Sequence, residues 1–285
     1  MVEEGLTGYL SGEYAAAFQE WGKPIRLPRS GSWVLRRPIP DASRYDATGL
    51  YPLLCCEDWN KLEADMSCLY DLVSFVFVSD PFAPAWDDSW LDLCAPYKLH
   101  YVVDYAKQHK PTKHHRYYAK NARCKVELAI EPDLDTWCDL YANLTERHGI
   151  TGMQAFSRKS FEYQLSAPGL LAFQAYDRKG VMAMHLWYIH NDVAYSHLAA
   201  CSDRGYQCFA AYALMNEALR FFSGNVKYLD LGATPDGTDG KGLGFFKKGW
   251  SNDSRLTKLC GKILDFGKYK ELSDGKSAYF PAYRG

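Results

Sequence analysis

The stretch VMAMHLWYIHNDVAYSHLAAC, residues 181–201, contains two apolar runs separated by a short polar turn. Runs rich in Val, Tyr and Trp on either side of Asn and Asp are typical of paired antiparallel strands. The following CFAAYALMNEALRFF, residues 208–222, repeats apolar side chains every three or four positions and precedes Gly224, which predicts a helix. A strand at 226–231 comes next. Strands joined by a helix that crosses one sheet face indicate an α/β fold with a mixed sheet.

The rest of the sequence divides into two predicted units, for which 285 residues are enough. Residues 107–285 form the second unit, in which Asp133 begins a helix and Gly149 ends it. Strands are predicted in this unit at 125–130, 170–176, 181–189, 193–201, 226–231 and 255–265. Residues 1–106 form the first unit, with strands predicted at 32–37, 50–55, 72–78 and 98–104.

Composition limits the class of protein. Hydrophobic residues at 47% and charged residues at 24% match an ordinary globular protein and exclude a disordered chain. The net charge of −1 gives no overall basic field for nucleic acid or anionic lipid, so a polyanion would have to bind locally. Nine cysteines without a CxxC pair predict reduced thiols and no metal site. Because no apolar leader or membrane-length apolar run is present, we expect a cytoplasmic protein without a membrane span.

A basic segment, KQHKPTKHHRYYAKNARCK, occupies residues 107–125. Its lysines and arginines recur at steps of three or four, which would gather them on one helical face. The residues at this spacing are Lys107, Lys110, Lys113, Arg116, Lys120 and Arg123. Two interpretations remain open, a solvated surface helix and a helix that faces phosphate groups.

The turn SDRGYQ, residues 202–207, lies between a predicted strand and the helix that follows. The first amides of a helix are unpaired and carry the positive end of its dipole, so they can bind phosphate. Gly205 permits close backbone approach and Arg204 offers a planar fork to phosphate oxygens, so we predict a donor site at Arg204, Gly205 and Tyr206. A plain tight connection explains one glycine equally well.

Two histidines lie on the predicted hairpin. If the turn is 190–192, His185 faces His197 directly across the strand pair, with Trp187 and Tyr195 on the same face. Histidine titrates close to neutral pH, so either imidazole is a candidate general base. Two hydrogen-bonded core histidines are the alternative. No third ligand at suitable spacing accompanies them, so no metal is expected.

The run YLDLGATPDGTDGKGLGFFKKGWSN, residues 228–252, has five glycines between Gly232 and Gly244, and a short helix is predicted at 245–250. Such a run at the carboxyl end of a strand predicts a substrate loop. Asp230 ends the strand and is a candidate catalytic residue, although bonding to turn amides is the commoner role. Lys247 is a candidate for binding phosphate or stabilising an oxyanion, against the alternative of a surface lysine.

Three segments resemble the FemAB-like members of the GNAT superfamily: DLG with its glycine-bearing loop and FK before a tryptophan, the preceding helix CFAAYALMNEALRFF, and HHRYYAKNARCKVE. The resemblance covers residues 107–265 well and the first unit loosely, through DATGLYPLLCCEDW at 46–59. It implies two tandem GNAT-like units, with the donor entering where the strands at 193–201 and 226–231 splay apart. Lys247 would then lie near the donor phosphate or the reacting carbonyl, and transfer to the acceptor amine would be direct.

The function expected from this resemblance is N-acyl transfer from acyl-CoA, or a similar carrier, to an amine on a small or cell-envelope-related acceptor. SDRGYQ departs from the Q/R-x-x-G-x-G/A loop of acyl-CoA enzymes, with Ser202 at the first position and Gln207 at the last. Two alternatives therefore stay open. One is a FemABX-type transferase that uses aminoacyl-tRNA, although their coiled-coil insertion is absent here. The other is a GNAT-like protein that binds without catalysis. The sequence fixes neither the acceptor, the acyl chain nor the oligomeric state.

Overall fold

The computed structural model describes residues 7–234, 240–273 and 279–285. Part of the predicted glycine-rich loop, residues 235–239, lies outside them. Within these ranges the strands are β1 (Lys23–Arg26), β2 (Trp33–Pro38), β3 (Tyr45–Gly49), β4 (Ser74–Val78), β5 (Leu93–Asp104), β6 (Lys125–Ala129), β7 (Leu170–Asp177), β8 (Gly180–His190), β9 (Val193–Cys201), β10 (Tyr228–Asp230) and β11 (Asp253–Ile263).

The α-helices of the same ranges are α1 (Gly12–Ala16), α2 (Lys113–Lys120), α3 (Leu134–His148), α4 (Arg158–Ser166), α5 (Asp203–Gln207), α6 (Ala210–Phe222), α7 (Gly240–Trp250) and α8 (Phe266–Ser273). Short 3-10 helices add Gly8–Leu10, Trp59–Lys61, Glu63–Leu69, Gly152–Gln154 and Ala282–Arg284. The predicted α/β fold with a mixed sheet is therefore confirmed.

The chain folds into two compact units. The central unit contains Leu99–Arg255 and the described residues up to Gly8, and the flanking unit contains Tyr9–Lys98 and Leu256–Gly285. The sequence predicted units of 1–106 and 107–285 instead. The difference arises because the chain returns at its C-terminal end to the flanking unit, where β11 pairs with β4 over Leu259–Ile263. Apolar alternation alone does not reveal which earlier strand a late strand will join.

The central unit has the strand order β5-β10-β9-β8-β7-β6, in which the C-terminal part of β5 takes part. The predicted meander of β7, β8 and β9 is present and antiparallel. Helix α6 connects it to β10, which lies parallel to β9. The core combines apolar residues of the sheet with one stripe of α6 and the last residue of α7, including Phe173, Trp187, Leu214, Ala218, Phe222, Leu229, Leu231 and Trp250.

Helix α3 has the ends that the sequence predicts. The Asp133 carboxylate accepts a hydrogen bond from the Thr136 amide at 2.8 Å, and Gly149 ends the helix with φ 59°. Both features satisfy backbone groups that a helix end leaves unpaired. The fully buried Trp137 and the buried Leu140 and Tyr141 make the inner face.

Other local predictions are wrong. The strand expected at 50–55 lies earlier, at β3, and only Leu54 of that range forms a bridge. The helix expected at 208–222 begins at Ala210, because Phe209 has φ 59° and separates α6 from α5. The basic residues do not share one helix, because α2 covers only Lys113–Lys120. Outside it, Lys107 forms an ion pair with Asp253 at 2.7 Å.

Helix α2 packs on α7 through a glycine. The Gly249 carbonyl accepts a hydrogen bond from the Thr112 amide at 3.0 Å, and the Phe246 carbonyl accepts one from Nε2 of the buried His115 at 3.0 Å. A Cβ atom at Gly249 would overlap the His115 ring, whereas one at Gly242 of the same helix would meet open space.

This contact predicts opposite effects for two alanines in one helix. Gly249→Ala should lower the free energy of unfolding by about 1–3 kcal/mol, because the buried His115 ring must move to admit the methyl group. Gly242→Ala should be neutral or stabilising by up to about 1 kcal/mol, because alanine favours helix over glycine. Urea unfolding of both variants measures the difference. Equal effects would show that α2 does not rest on Gly249.

Candidate active site

Strands β9 and β10 separate in the middle of the central sheet. They are paired in parallel only from Tyr228 opposite Val193 to Asp230 opposite Tyr195. From Ser196 to its end, β9 has no strand on that side among the described residues. The chain beyond Asp230 stays with β5 instead, where the Leu231 amide donates to the Tyr101 carbonyl at 2.9 Å. We call the resulting gap the β9–β10 opening.

The edge of this opening holds a buried carboxylate and imidazole. His100 on β5 and Asp230 on β10 are diagonal neighbours, since Asp230 is paired with Val102. Nδ1 of His100 lies 2.8 and 3.0 Å from the two Asp230 carboxylate oxygens. The same carboxylate accepts a hydrogen bond from the Gly232 amide at 2.8 Å. The expectation that Asp230 bonds a turn amide is met, and the carboxylate also orients an imidazole.

His100 is not among the candidates that the sequence marked. The residue precedes the short apolar run 101–103, and 130 residues separate it from Asp230. Only the pairing of β5 with β10 brings the two together. One signal was available in the sequence. His100 and Val102 lie on the same face of the strand, and a polar residue on a buried face needs a hydrogen-bond partner.

Lys247 lies beside Asp230. Its ammonium donates a hydrogen bond to the Ala233 carbonyl at 2.6 Å, and a Cβ atom at Gly232 would lie only 3.2 Å from Nζ. Glycine at that position therefore leaves room for the ammonium. Burial lowers the pKa of Lys247 to about 8, and the Asp230 charge partly opposes this shift. The lysine is thus not an ordinary surface residue.

His185 and His197 do not face each other, so the predicted register is wrong. The hairpin turn has two residues, His190 pairs with Val193, and a bulge follows Leu186, so that His185 faces Ala199. Nε2 of His185 lies 2.8 Å from Ser196 Oγ. Nε2 of His197 donates instead to Gln164 Oε1 of α4 at 2.9 Å.

Neither of these imidazoles is suited to be a base at neutral pH. Burial lowers the pKa of His185 to about 3, and the nearby Lys247 charge lowers it further. Burial likewise lowers the pKa of His197 to about 3, with a smaller effect from His185. A group with such a pKa accepts a proton poorly near pH 7. His185 remains part of the site through its proximity to Lys247.

The predicted donor turn is held by the protein itself. The Arg204 guanidinium forms an ion pair with Asp177 and donates to the Gly180 carbonyl at 3.1 Å. The Gly205 amide donates to Ser202 Oγ at 3.2 Å. A Cβ atom at Gly205 would overlap the Met182 carbonyl, so this glycine permits packing of α5 on β8 rather than approach of a ligand.

Tyr206 is the third residue of that turn. The Arg147 guanidinium stacks over its ring at 4.3 Å from the centroid, and its amide donates to the Ser202 carbonyl at 3.0 Å. The structure therefore gathers Asp230, Lys247 and His185 at the opening, while Arg204, Gly205 and Tyr206 secure α5 to its neighbours.

Helices α2 and α7 carry an exposed basic surface. Neither contains an acidic residue, and in the described part of the chain none of their exposed cations forms an ion pair with a carboxylate. The exposed side chains of this surface are Lys113, Arg116, Lys120, Lys241 and Lys248, with Tyr117 and Phe245 beside them. We call it the α2–α7 surface.

The described residues contain neither a metal-binding cluster nor a membrane-spanning helix. No three His, Cys, Asp or Glu side chains lie close enough together to hold a metal ion within residues 7–234, 240–273 and 279–285. Among the helices of the same ranges, none has the length and apolar character needed to cross a membrane.

Three solved structures have a similar fold. The sequence matches no protein-family model and no curated protein. The structure is similar over 91% of this chain to 93% of FemX, with 12% identity and a TM-score of 0.64. It is also similar over 90% of its length to 89% of the C-terminal domain of a putative lysylphosphatidylglycerol synthetase from Agrobacterium fabrum, with 14% identity and a TM-score of 0.57. The resemblance to FemAB-like GNAT folds is thereby confirmed at the level of the fold.

A third similarity agrees. L-PGS from Bacillus licheniformis matches 93% of this chain with 95% of its own, at 11% identity and a TM-score of 0.55. Each of the three structures therefore aligns along nearly all of this chain.

The lowered pKa of Lys247 predicts that the free energy of unfolding depends on pH. Between pH 8 and 10.5, Lys247 is deprotonated in the folded chain but still protonated in the unfolded chain. The free energy of unfolding therefore rises with pH through this window. Below pH 8 the folded chain bears the full penalty, at most about 3 kcal/mol. Lys247→Met should therefore be more stable than wild type at pH 7, with the difference shrinking by pH 10.

Urea unfolding at both pH values measures this difference. Lys179→Met, a change at an exposed lysine in the turn between β7 and β8, is the control and should show no such pH dependence. A Lys247→Met variant with the same stability difference from wild type at pH 7 and pH 10 would contradict a depressed pKa.

Proposed function

We propose that this chain transfers an acyl group directly from an activated carrier to an amine, with the reacting carbonyl in the β9–β10 opening. The observation that carries the proposal is the early end of the β9–β10 pairing, which leaves a gap beside the Lys247 ammonium. A gap in a sheet gives an extended acyl chain access to strand edges and to the side chains between them. The transferase fold of the similar structures supports the same reaction class, although fold alone does not assign it.

Lys247 is the residue that stabilises charge on the carbonyl oxygen. Attack by an amine moves the carbonyl electron pair onto oxygen, and a fixed cation in a site that excludes water favours that state strongly. The Ala233 carbonyl accepts a hydrogen bond from the ammonium at 2.6 Å, and the nearby Asp230 charge favours its protonated form. Its lowered pKa means that the cation is lost above about pH 8.

Aminoacyl-tRNA is the donor that the described surface fits best. The α2–α7 surface presents five exposed cations and exposed rings, a combination that binds phosphates and stacks bases. Part of this surface lies on α7, the helix that also carries Lys247. An acceptor stem bound to the surface would therefore lie near the opening. Acyl-CoA, the donor expected first from the sequence, has weaker support, because Arg204 and the Gly205 amide already have partners within the chain.

The acceptor is an amine, and its identity rests on the resemblance alone. The resemblance stated above implies a small or cell-envelope-related molecule. A FemX-like fold over most of the chain is compatible with such an acceptor.

A transfer assay tests the proposal. The purified chain is incubated with tRNA charged with radiolabelled amino acids, or with acetyl-CoA and longer acyl-CoAs, and with a panel of amino sugars, diamines and amino acids. We expect label to move from tRNA into an amide product. Lys247→Met should lower kcat by about 100-fold to 1,000-fold, as removal of one oxyanion donor does, with little change in donor KM.

Controls separate the parts of the proposal. Lys247→Arg keeps the cation and should retain part of the activity, and Lys179→Met should match wild type. Transfer from acyl-CoA but not from tRNA would overturn the donor assignment only. No transfer by the wild-type chain from any donor in the panel would overturn the transferase itself.

A further inference from the structure

We infer that His100 takes the proton from the attacking amine, and that Asp230 holds its imidazole in the tautomer that this step needs. The inference rests on the proposed function for its reaction. Its geometric basis, a buried pair at the edge of the β9–β10 opening, stands on the structure alone.

The hydrogen bonds of Asp230 determine the tautomer. A carboxylate accepts hydrogen bonds, so Nδ1 of His100 donates its proton to Asp230 at 2.8 Å. Neutral imidazole has one donor and one acceptor, and Nε2 therefore carries the lone pair. The Gly232 amide fixes the carboxylate in turn, at 2.8 Å. Asp230 is consequently a positioning residue, in the same way that a carboxylate orients a catalytic histidine elsewhere.

The position of His100 also suits the step. Nε2 forms no hydrogen bond with any residue in the described part of the chain. The side chain is 10% exposed, so a ligand can reach part of it. The segment from Asp230 to Ala233 contacts both groups, because Asp230 bonds His100 and the Ala233 carbonyl accepts a hydrogen bond from Lys247.

The other buried histidines of the central unit are committed. His185 contacts Ser196, and His197 donates to Gln164. His115 uses both ring nitrogens, with Nδ1 2.7 Å from Thr112 Oγ1 and Nε2 bonded to the Phe246 carbonyl. His100 differs from them in combining a carboxylate partner with an uncommitted second nitrogen.

The transfer has two stages, attack on the carbonyl and collapse of the intermediate. The amine nitrogen attacks the donor carbonyl, an N–C bond forms, and the carbonyl electron pair moves to oxygen beside Lys247. One N–H proton passes to Nε2 of His100. The intermediate then collapses, the bond from carbon to the carrier oxygen breaks, and that oxygen takes the proton from His100. The products are an amide and a free carrier hydroxyl.

The tautomer can be tested without turnover. NMR of the chain labelled with ¹⁵N-histidine, assigned by loss of the signal in His100→Gln, should show Nδ1 protonated and Nε2 unprotonated at pH 8. Asp230→Asn should shift this population toward the other tautomer. A wild-type His100 protonated on Nε2 alone would overturn the inference, whether or not the chain is a transferase.

Kinetics test the proton transfer. With n-butylamine as acceptor, His100→Gln should lower kcat by about 100-fold or more, in the range of general-base catalysis. Exogenous imidazole should restore part of the activity of His100→Ala. His148→Gln, a change at an exposed histidine at the end of α3, is the matched control.

These outcomes distinguish the two proposals. An active wild type with an equally active His100→Gln would overturn the role of His100 and leave the transferase standing. Loss of activity in His100→Gln, without imidazole rescue of His100→Ala, would show a structural role only. An inactive wild type would refute the proposed function, and the NMR result would still decide the tautomer.

Discussion

The short pairing between β9 and β10 is the constraint on which the site depends. Three residues of β10 align with β9, and then the chain at Leu231 and Gly232 bonds to Tyr101 of β5 instead. Where a strand edge inside a sheet is left unpaired, its backbone N–H and C=O groups must bond other parts of the chain or a ligand. The parting also determines where Asp230, Gly232 and Lys247 meet, because all three lie at the point where pairing with β9 ends.

The charges at this point oppose stability. The Asp230 carboxylate is buried, and burial lowers the pKa of both the neighbouring Lys247 ammonium and the His185 imidazole. Apolar residues would fill such a volume at lower cost. Polar groups gathered at the centre of a fold, with depressed pKa values and a gap beside them, are typical of a site kept for chemistry. The adjacent core of Trp187, Phe222 and Trp250 supplies the rigidity that holds them.

Local patterns predicted the elements better than their partners. Asp133 and Gly149 mark the ends of α3 because caps are local, and the α/β order of meander, helix and strand followed from apolar periodicity. The face-to-face pairing of His185 and His197 failed because a turn one residue shorter and a bulge decide that register. Arg204 looked like a phosphate ligand because its partner, Asp177, lies on a different element. His100 was missed for the same reason, whereas Asp230 and Lys247, which the glycine-rich run marked, do lie at the opening.

The central claim is that the β9–β10 opening receives an acyl carbonyl beside Lys247. Its most direct test is a crystal structure of the chain with an aminoacyl group joined by an amide to 3′-amino-3′-deoxyadenosine, which cannot transfer. We expect the acyl group to lie between Ser196 and the chain after Asp230, with its carbonyl oxygen within hydrogen-bond distance of Lys247 Nζ. An analogue bound elsewhere, or a β9 strand paired with β10 beyond Tyr195 so that the gap is closed, would contradict it.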